Sequence, residues 1–140
     1  MSKKSPKIAA LIAELHGQGQ DAHYLGFFAC FNRQLFYEAH DVLEELWLAQ
    51  GKSGGNYAFY KGLIQLAGAF VHLQKNRLRP AVALFNLAEA NLRQYPSVHE
   101  QLDLAAVLAL IADWRGRVES AAFVVNPLPS AVPPQLSLGN

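Results

Sequence analysis

The sequence predicts an all-α fold, an irregular bundle of about six helices in which the third and fourth pack as a central antiparallel pair. Three observations carry that expectation. Apolar residues recur at helical spacing along almost the whole chain, and no segment alternates apolar and polar residues over a useful strand length. Gly17, Gly19, Gly51, Pro80 and Pro96 fall at the edges of the periodic stretches rather than inside them. A chain of 140 residues, 51% apolar and 16% charged, can fill the core of one compact domain.

The first helix is expected from Pro6 to about His16, with Ser5 as its cap, Pro6 at the first helical position and Gly17 and Gly19 as its stop. A second begins after Asp21, carries Tyr24, Phe27, Phe28 and Phe31, and ends near Asn32 or Arg33. The third spans the acidic stretch around His40 and stops at Gly51. Asn56 opens a long fourth helix to about Asn76, and Arg79-Pro80 begins a fifth that runs to Gln94, before Tyr95-Pro96 breaks it. A sixth is expected from Ser97, whose hydroxyl and Glu100 three residues on spell a capping box, toward Glu119. Residues 1–125 thus read as a single helical domain. The segment 126–140 holds four of the seven prolines, Pro127, Pro129, Pro133 and Pro134, and is expected to be an extended or disordered tail.

Composition narrows the classes of function. A net charge of +1, a pI near 7.9 and scattered Lys and Arg provide no basic face for nucleic acid. Lys3, Lys4 and Lys7 precede the apolar Ile8 to Ile12, but Glu14 and His16 cut that run short, and no signal peptide is expected. The most apolar segment, Gly62 to Leu73, is interrupted by Gln65 and His72, too soon for a membrane span. A single cysteine, Cys30, suits a reducing compartment, with the cytoplasm as the expected location.

The stretch Tyr37-Glu38-Ala39-His40-Asp41-Val42-Leu43-Glu44-Glu45-Leu46-Trp47 is the candidate site. On a helix, Leu35, Phe36, Ala39, Val42, Leu43, Leu46 and Trp47 share one apolar arc, and Glu38, Asp41 and Glu45 gather opposite it as solvated acids. His40 and Glu44, four residues apart, share the shoulder of that arc, where a half-buried carboxylate needs a partner. The fourth helix carries a second polar stripe of Lys61, Gln65, Gly68 and His72. That stripe is either a plain solvent face, or Gly68 admits a neighbouring helix while Gln65 and His72 turn toward His40 and Glu44. In the second case His40, Glu44 and His72 could bind zinc, manganese or iron and leave one position open for water, with Glu44 as ligand or general base. Tyr37, Trp47, Lys61 and Gln65 would line such a site. In the structural reading, His40 and Glu44 are simply a buried polar pair.

Other motifs carry less. Gly51-Lys52-Ser53-Gly54-Gly55 lacks the earlier glycine and preceding strand of a phosphate loop, and reads as a connection. His16, His23 and His99 fall near helix ends or loops, where capping or solvation is expected. Trp114 with Arg115 and Arg117 could hold an anion or a partner, but an aromatic in the sixth helix is more often core. Ala81, Phe85, Ala88 and Tyr95-Pro96 match the second helix of a tetratricopeptide hairpin, of which one unit makes no solenoid.

Two blocks, Phe31-Asn32 with Phe36-Tyr37-Glu38-Ala39-His40-Asp41-Val42-Leu43-Glu44 and Trp47, then Phe59-Tyr60-Lys61-Gly62-Leu63-Ile64-Gln65-Leu66-Ala67, resemble the family called domain of unknown function 309 across roughly Phe27 to Leu92. The resemblance implies a small all-helical protein, described for the family as a predicted metal-dependent hydrolase without an established substrate, and it singles out His40, Glu44, Trp47 and Gln65, then His72. The chain departs from the family pattern at Asp41, where Glu is common, and at Pro80-Ala81, where Gly-Ala is usual. Two functions follow as expectations. One is a metal-dependent hydrolase acting on an unidentified small molecule. The other is a non-enzymatic, self-associating module, a homodimer that uses the aromatic surface of Tyr24, Phe27 and Phe28 or the tetratricopeptide-like hairpin.

Overall fold

Helix boundaries in the computed structural model, which describes residues 6–17 and 19–139, follow largely from local chemistry. Helix α1 (Pro6–Leu15) gives way to Gly17 at φ +81, a left-handed conformation that glycine adopts at little cost. Its expected cap, Ser5, lies outside the described residues. Helix α2 (Ala22–Asn32) starts where the Asp21 carboxylate accepts from the His23 N–H at 2.8 Å. Helix α3 (Phe36–Gln50) stops at Gly51, again left-handed at φ 66. Helices α4 (Tyr57–Gln74) and α5 (Leu78–Leu92) follow, with Pro80 in the first turn of α5, where a missing N–H breaks no helical bond.

The region expected to open a sixth helix at Ser97 folds differently. Val98–His99 (β1) pairs antiparallel with Leu102–Asp103 (β2), and Glu100 and Gln101 turn the chain at φ 50 and 64. The Ser97 and Glu100 capping box is therefore not formed. Helix α6 (Leu104–Ser120) is capped by Asp103, whose carboxylate accepts from the Ala106 N–H at 3.1 Å.

Consecutive helices from α2 to α6 pack against one another, α3 and α4 forming the central antiparallel pair. Close approach between α4 and α5 is made possible by Gly62, where a Cβ would lie 2.8 Å from Leu92 Cγ. One ring ties the layers together. Phe70 of α4 stacks on Phe36 of α3 at 5.0 Å, and meets Phe31 of α2, Phe85 of α5 and Trp114 of α6 edge-on at 5.6, 5.3 and 5.1 Å. Tyr24, Phe27 and Phe28 are buried in this same core, so the aromatic surface expected to mediate self-association is internal to the protomer.

Two further features complete the frame. The start of α4 is served from far along the chain: the Tyr95 hydroxyl accepts from the Phe59 N–H at 3.0 Å and donates to the Gly55 carbonyl at 2.9 Å. Asn56, at the cap position, makes no capping bond with its side chain, which instead accepts from His99 Nε2 at 2.6 Å and donates to the Tyr60 hydroxyl at 3.4 Å. His99, expected at a solvated position, packs its ring on Phe59 and Tyr95 at 4.7 Å each.

Residues 124–139, which take in the described part of the proline-rich segment 126–140 expected to be extended or disordered, run as a strap across the bundle with one short 3-10 turn, Leu128–Ser130. Leu128, Pro134 and Leu136 are buried. Among the described residues, no helix is long and apolar enough to cross a membrane.

Candidate functional site

A groove opens where α4 runs between α3 and α5. Tyr37 and His40 of α3 form one wall, Leu84 of α5 the other, and Ile64, Gln65, Gly68, Val71 and His72 of α4 form the floor. The helical spacing of the sequence explains why these side chains converge. Residues 37 and 40 lie one turn apart on α3, whereas 64, 68, 71 and 72 make a single stripe on α4. Gly68 keeps the floor low, since a Cβ there would come within 3.0 Å of Leu84 Cδ1. The cavity holds about 230 Å³.

His40 is fixed by its chain neighbour. Its Nδ1 lies 3.2 Å from Asp41 Oδ1, and because a carboxylate only accepts, Nδ1 carries the proton. Nε2 lies 3.9 Å from Glu44 Oε2, too far for a hydrogen bond. Asp41, expected among the solvated acids, has a side chain only 14% exposed and is the closer partner of the two.

His72 is the other titratable group in the groove. Its Nδ1 is buried and has no hydrogen-bond partner among the described residues. Burial, then the positive charges of Arg77 and Lys75, hold its pKa below the ordinary histidine range, so the ring is neutral at pH 7. With no partner at Nδ1, a proton on Nε2 leaves a stranded acceptor there in place of a stranded donor. The residue is partly exposed, and Nδ1 contributes almost none of that exposure.

The remaining expected site residues are used elsewhere. Gln65 reaches the floor, but its Oε1 accepts from Asn91 Nδ2 of α5 at 2.7 Å instead of turning to the histidines. Trp47 packs on Tyr57 at 5.2 Å with its Nε1 buried, and Lys61 places its ammonium 5.8 Å over that Tyr57 ring, so this trio forms a cluster apart from the groove lining. Glu44 is likewise absent from the lining. The expected metal set of His40, Glu44 and His72 is not gathered, and among the described residues no group of three or more His, Cys, Asp or Glu side chains could hold a metal ion. A zinc, manganese or iron site therefore does not fit the donors of the described residues as they stand. The reason is geometric: the four-residue spacing puts Glu44 on the flank of α3 beyond His40, while His72 faces the groove.

Ile64, Val71 and Leu84 of the groove, and Asp41 beside His40 outside its lining, are residues that the sequence did not single out for the site. Leu84 belongs to the helix that Gly68 admits, so its signal was the glycine in the polar stripe. Asp41 had no signal, because adjacent residues on a helix ordinarily point apart.

A separate polar contact joins α5 to α6. Arg115 donates to both carboxylate oxygens of Glu89 at 3.1 Å, and to Asn86 Oδ1 at 2.9 Å. Arg93 adds a bond to Glu89 at 3.2 Å. These arginine bonds hold the Glu89 carboxyl below the ordinary range.

Residues 24–84 match the model of the family described as Domain of unknown function (DUF309). No curated protein and no solved structure matches the chain.

Proposed function

Because residues 24–84 belong to the domain of unknown function 309 family, whose name assigns no reaction, we propose from the groove itself that this helical protein is a non-enzymatic interaction module. The groove between α3, α4 and α5 seats one apolar side chain of a partner polypeptide together with the backbone carbonyl beside it. The carrying observation is an apolar trough whose lining includes His72, a ring with a buried, unpartnered Nδ1; on this reading its Nε2–H donates to a carbonyl acceptor. Size supports the same class of ligand. At about 230 Å³ the trough falls below the roughly 300 to 1,000 Å³ of cofactor and drug-sized sites, but it suits a single large side chain. A cytoplasmic setting goes with this reading, since the sole cysteine, Cys30, is a free buried thiol.

Titrating isotope-labelled protein with N-acetyl-leucine amide, and with N-acetyl-glycine amide as control, tests the reading by NMR. Millimolar binding of the leucine compound, with shifts centred on Tyr37, Gly68 and His72 and lost in Gly68→Leu, is the expected result. Equal responses to both compounds, or none at these residues, would overturn it. Near-stoichiometric zinc, manganese or iron in untagged protein, lost in His40→Ala, would transfer the assignment to the metal-dependent hydrolase.

A further inference from the structure

The strap of residues 124–139 is bonded to the bundle as a strand is bonded to a sheet, although its main partner is a side chain. Asn32, the last residue of α2, donates from Nδ2 to the Leu136 carbonyl at 2.7 Å and accepts from the Leu136 N–H at 2.7 Å, while Gln135 Nε2 donates to the Asn32 carbonyl at 2.9 Å. Further along, Leu138 bridges antiparallel to Leu102, and the Gly139 N–H donates to the Gln101 carbonyl at 2.7 Å. At the other end Asn126 donates to the Leu73 carbonyl at 2.6 Å, which also accepts from the Asn76 N–H at 3.0 Å. All these contacts are made to earlier parts of the chain, the ends of α2 and α4 and the β1–β2 hairpin, and none requires that strap and seat belong to one molecule.

The link between α6 and the strap is where the conformation is costly. Helix α6 ends in a Schellman turn, with Phe123 N–H on Val118 O at 3.1 Å and Ala122 N–H on Glu119 O at 3.0 Å. Glycine is usual at the left-handed position, yet Ala122 and Phe123 both take it, at φ 53 and 61. Arg79 holds the turned Phe123 from above, its guanidinium 4.3 Å from the ring centroid. Cavities of about 440 and 170 Å³ flank the strap, lined by Pro129 and Pro133 on one side and by Gln135 and Ser137 on the other, so the seat grips it unevenly.

We infer that the strap is an exchangeable element, and that two copies of this chain dimerise by seating each other's residues 124–139. Straightening the link relieves two left-handed residues per chain while every strap contact is remade in the partner, which is the thermodynamic condition for a swap. The partner copy completes the site, because Asn32 of one chain then clamps Leu136 of the other.

The test uses the full chain at micromolar and millimolar concentration, with molar mass read by light scattering after slow concentration. Dimer is expected at the higher concentration, with Ala122→Gly raising its dissociation constant by about 5-fold to 30-fold through relief of the closed turn. Ala122→Val, with a β-branched residue at a left-handed position, lowers it. A monomer throughout, or a dimer indifferent to both variants, would overturn the inference. Mixing a Leu102→Cys chain with a Leu138→Cys chain supplies the independent reading, since these bridge partners fall within disulfide reach. A mixed disulfide is expected. Its absence, when the chain carrying both cysteines closes its own bond readily, would also overturn the inference.

Discussion

Asp41 holds His40 more closely than Glu44 does, at 3.2 Å against 3.9 Å, although the four-residue spacing singled out Glu44 as the natural partner. The side chain of Asp41 is also the better shielded, at 14% exposed against 39%. The pair that orients the imidazole at the groove wall is therefore His40 and Asp41. Glu44 stands farther off, beyond hydrogen-bond reach.

Asp41→Asn is accordingly expected to cost about 1 kcal/mol of folding stability by weakening a charge-assisted bond, and Glu44→Gln less than about 0.5 kcal/mol. Urea unfolding midpoints of the two isosteric variants provide the comparison. A larger loss for Glu44→Gln would mean that the longer contact is the one that matters.

Two glycines of α4 face α5, and they should respond differently to the same added methyl group. At Gly62 the new Cβ meets Leu92 at 2.8 and 2.9 Å and Asn91 Cβ at 3.2 Å, whereas at Gly68 it meets only the tip of Leu84 at 3.0 Å. Gly62→Ala is expected to cost about 1 to 3 kcal/mol despite its helix-propensity gain of about 1 kcal/mol. Gly68→Ala should be close to neutral, because Leu84 can move into the groove. Thermal denaturation of the two single variants checks the ordering.

Stability should fall as the solution is acidified past the ordinary histidine pKa of 6.5. The folded state holds His72 below that value, so in this window the unfolded chain binds more protons and acid favours unfolding. His72→Phe removes that contribution. Its unfolding free energy should therefore change less than that of the unmodified protein between neutral pH and the window below 6.5. Parallel slopes would place the neutral ring elsewhere.

A second loss belongs at lower pH. Arg115 depresses the Glu89 carboxyl, so the stabilisation is present above the ordinary value of 4.5 and disappears as pH falls through the lower folded value. Arg115→Met should cost about 1 to 3 kcal/mol near neutrality and flatten the acid limb below 4.5, as followed by acid titration of the circular dichroism signal.

The helices themselves were legible because their periodicity is continuous and Gly17 and Gly51 mark two of the ends. Of the others, α5 is marked only by Tyr95-Pro96 beyond its end, and the rest carry no glycine. Helices α2, α4 and α6 finish with Gln34, Asn76 and Ala122 left-handed, and only asparagine among these advertises that tolerance. The hairpin before α6 was hidden for a related reason: Glu100 and Gln101 make its turn in place of Asn-Gly, while Ser97 and Glu100 imitate a capping box. At the candidate site, the stripes on α3 and α4 could be read from spacing. Leu84 depended on which helix would cover Gly68, and Asp41 on a contact between adjacent residues that periodicity argues against.

The hydroxyl of Tyr95 makes the opening of α4 depend on chain that follows α5. With Asn56 engaged by His99 and Tyr60, the first turn of α4 takes its support from a residue that arrives only after α5 has folded back. The beginning of a helix, ordinarily among the most local events in folding, becomes here a record of long-range docking. The Phe59 amide is thus a natural sentinel. Its exchange with solvent should track separation of the α4 and α5 pair rather than fraying of α4, and Tyr95→Phe would uncouple the two.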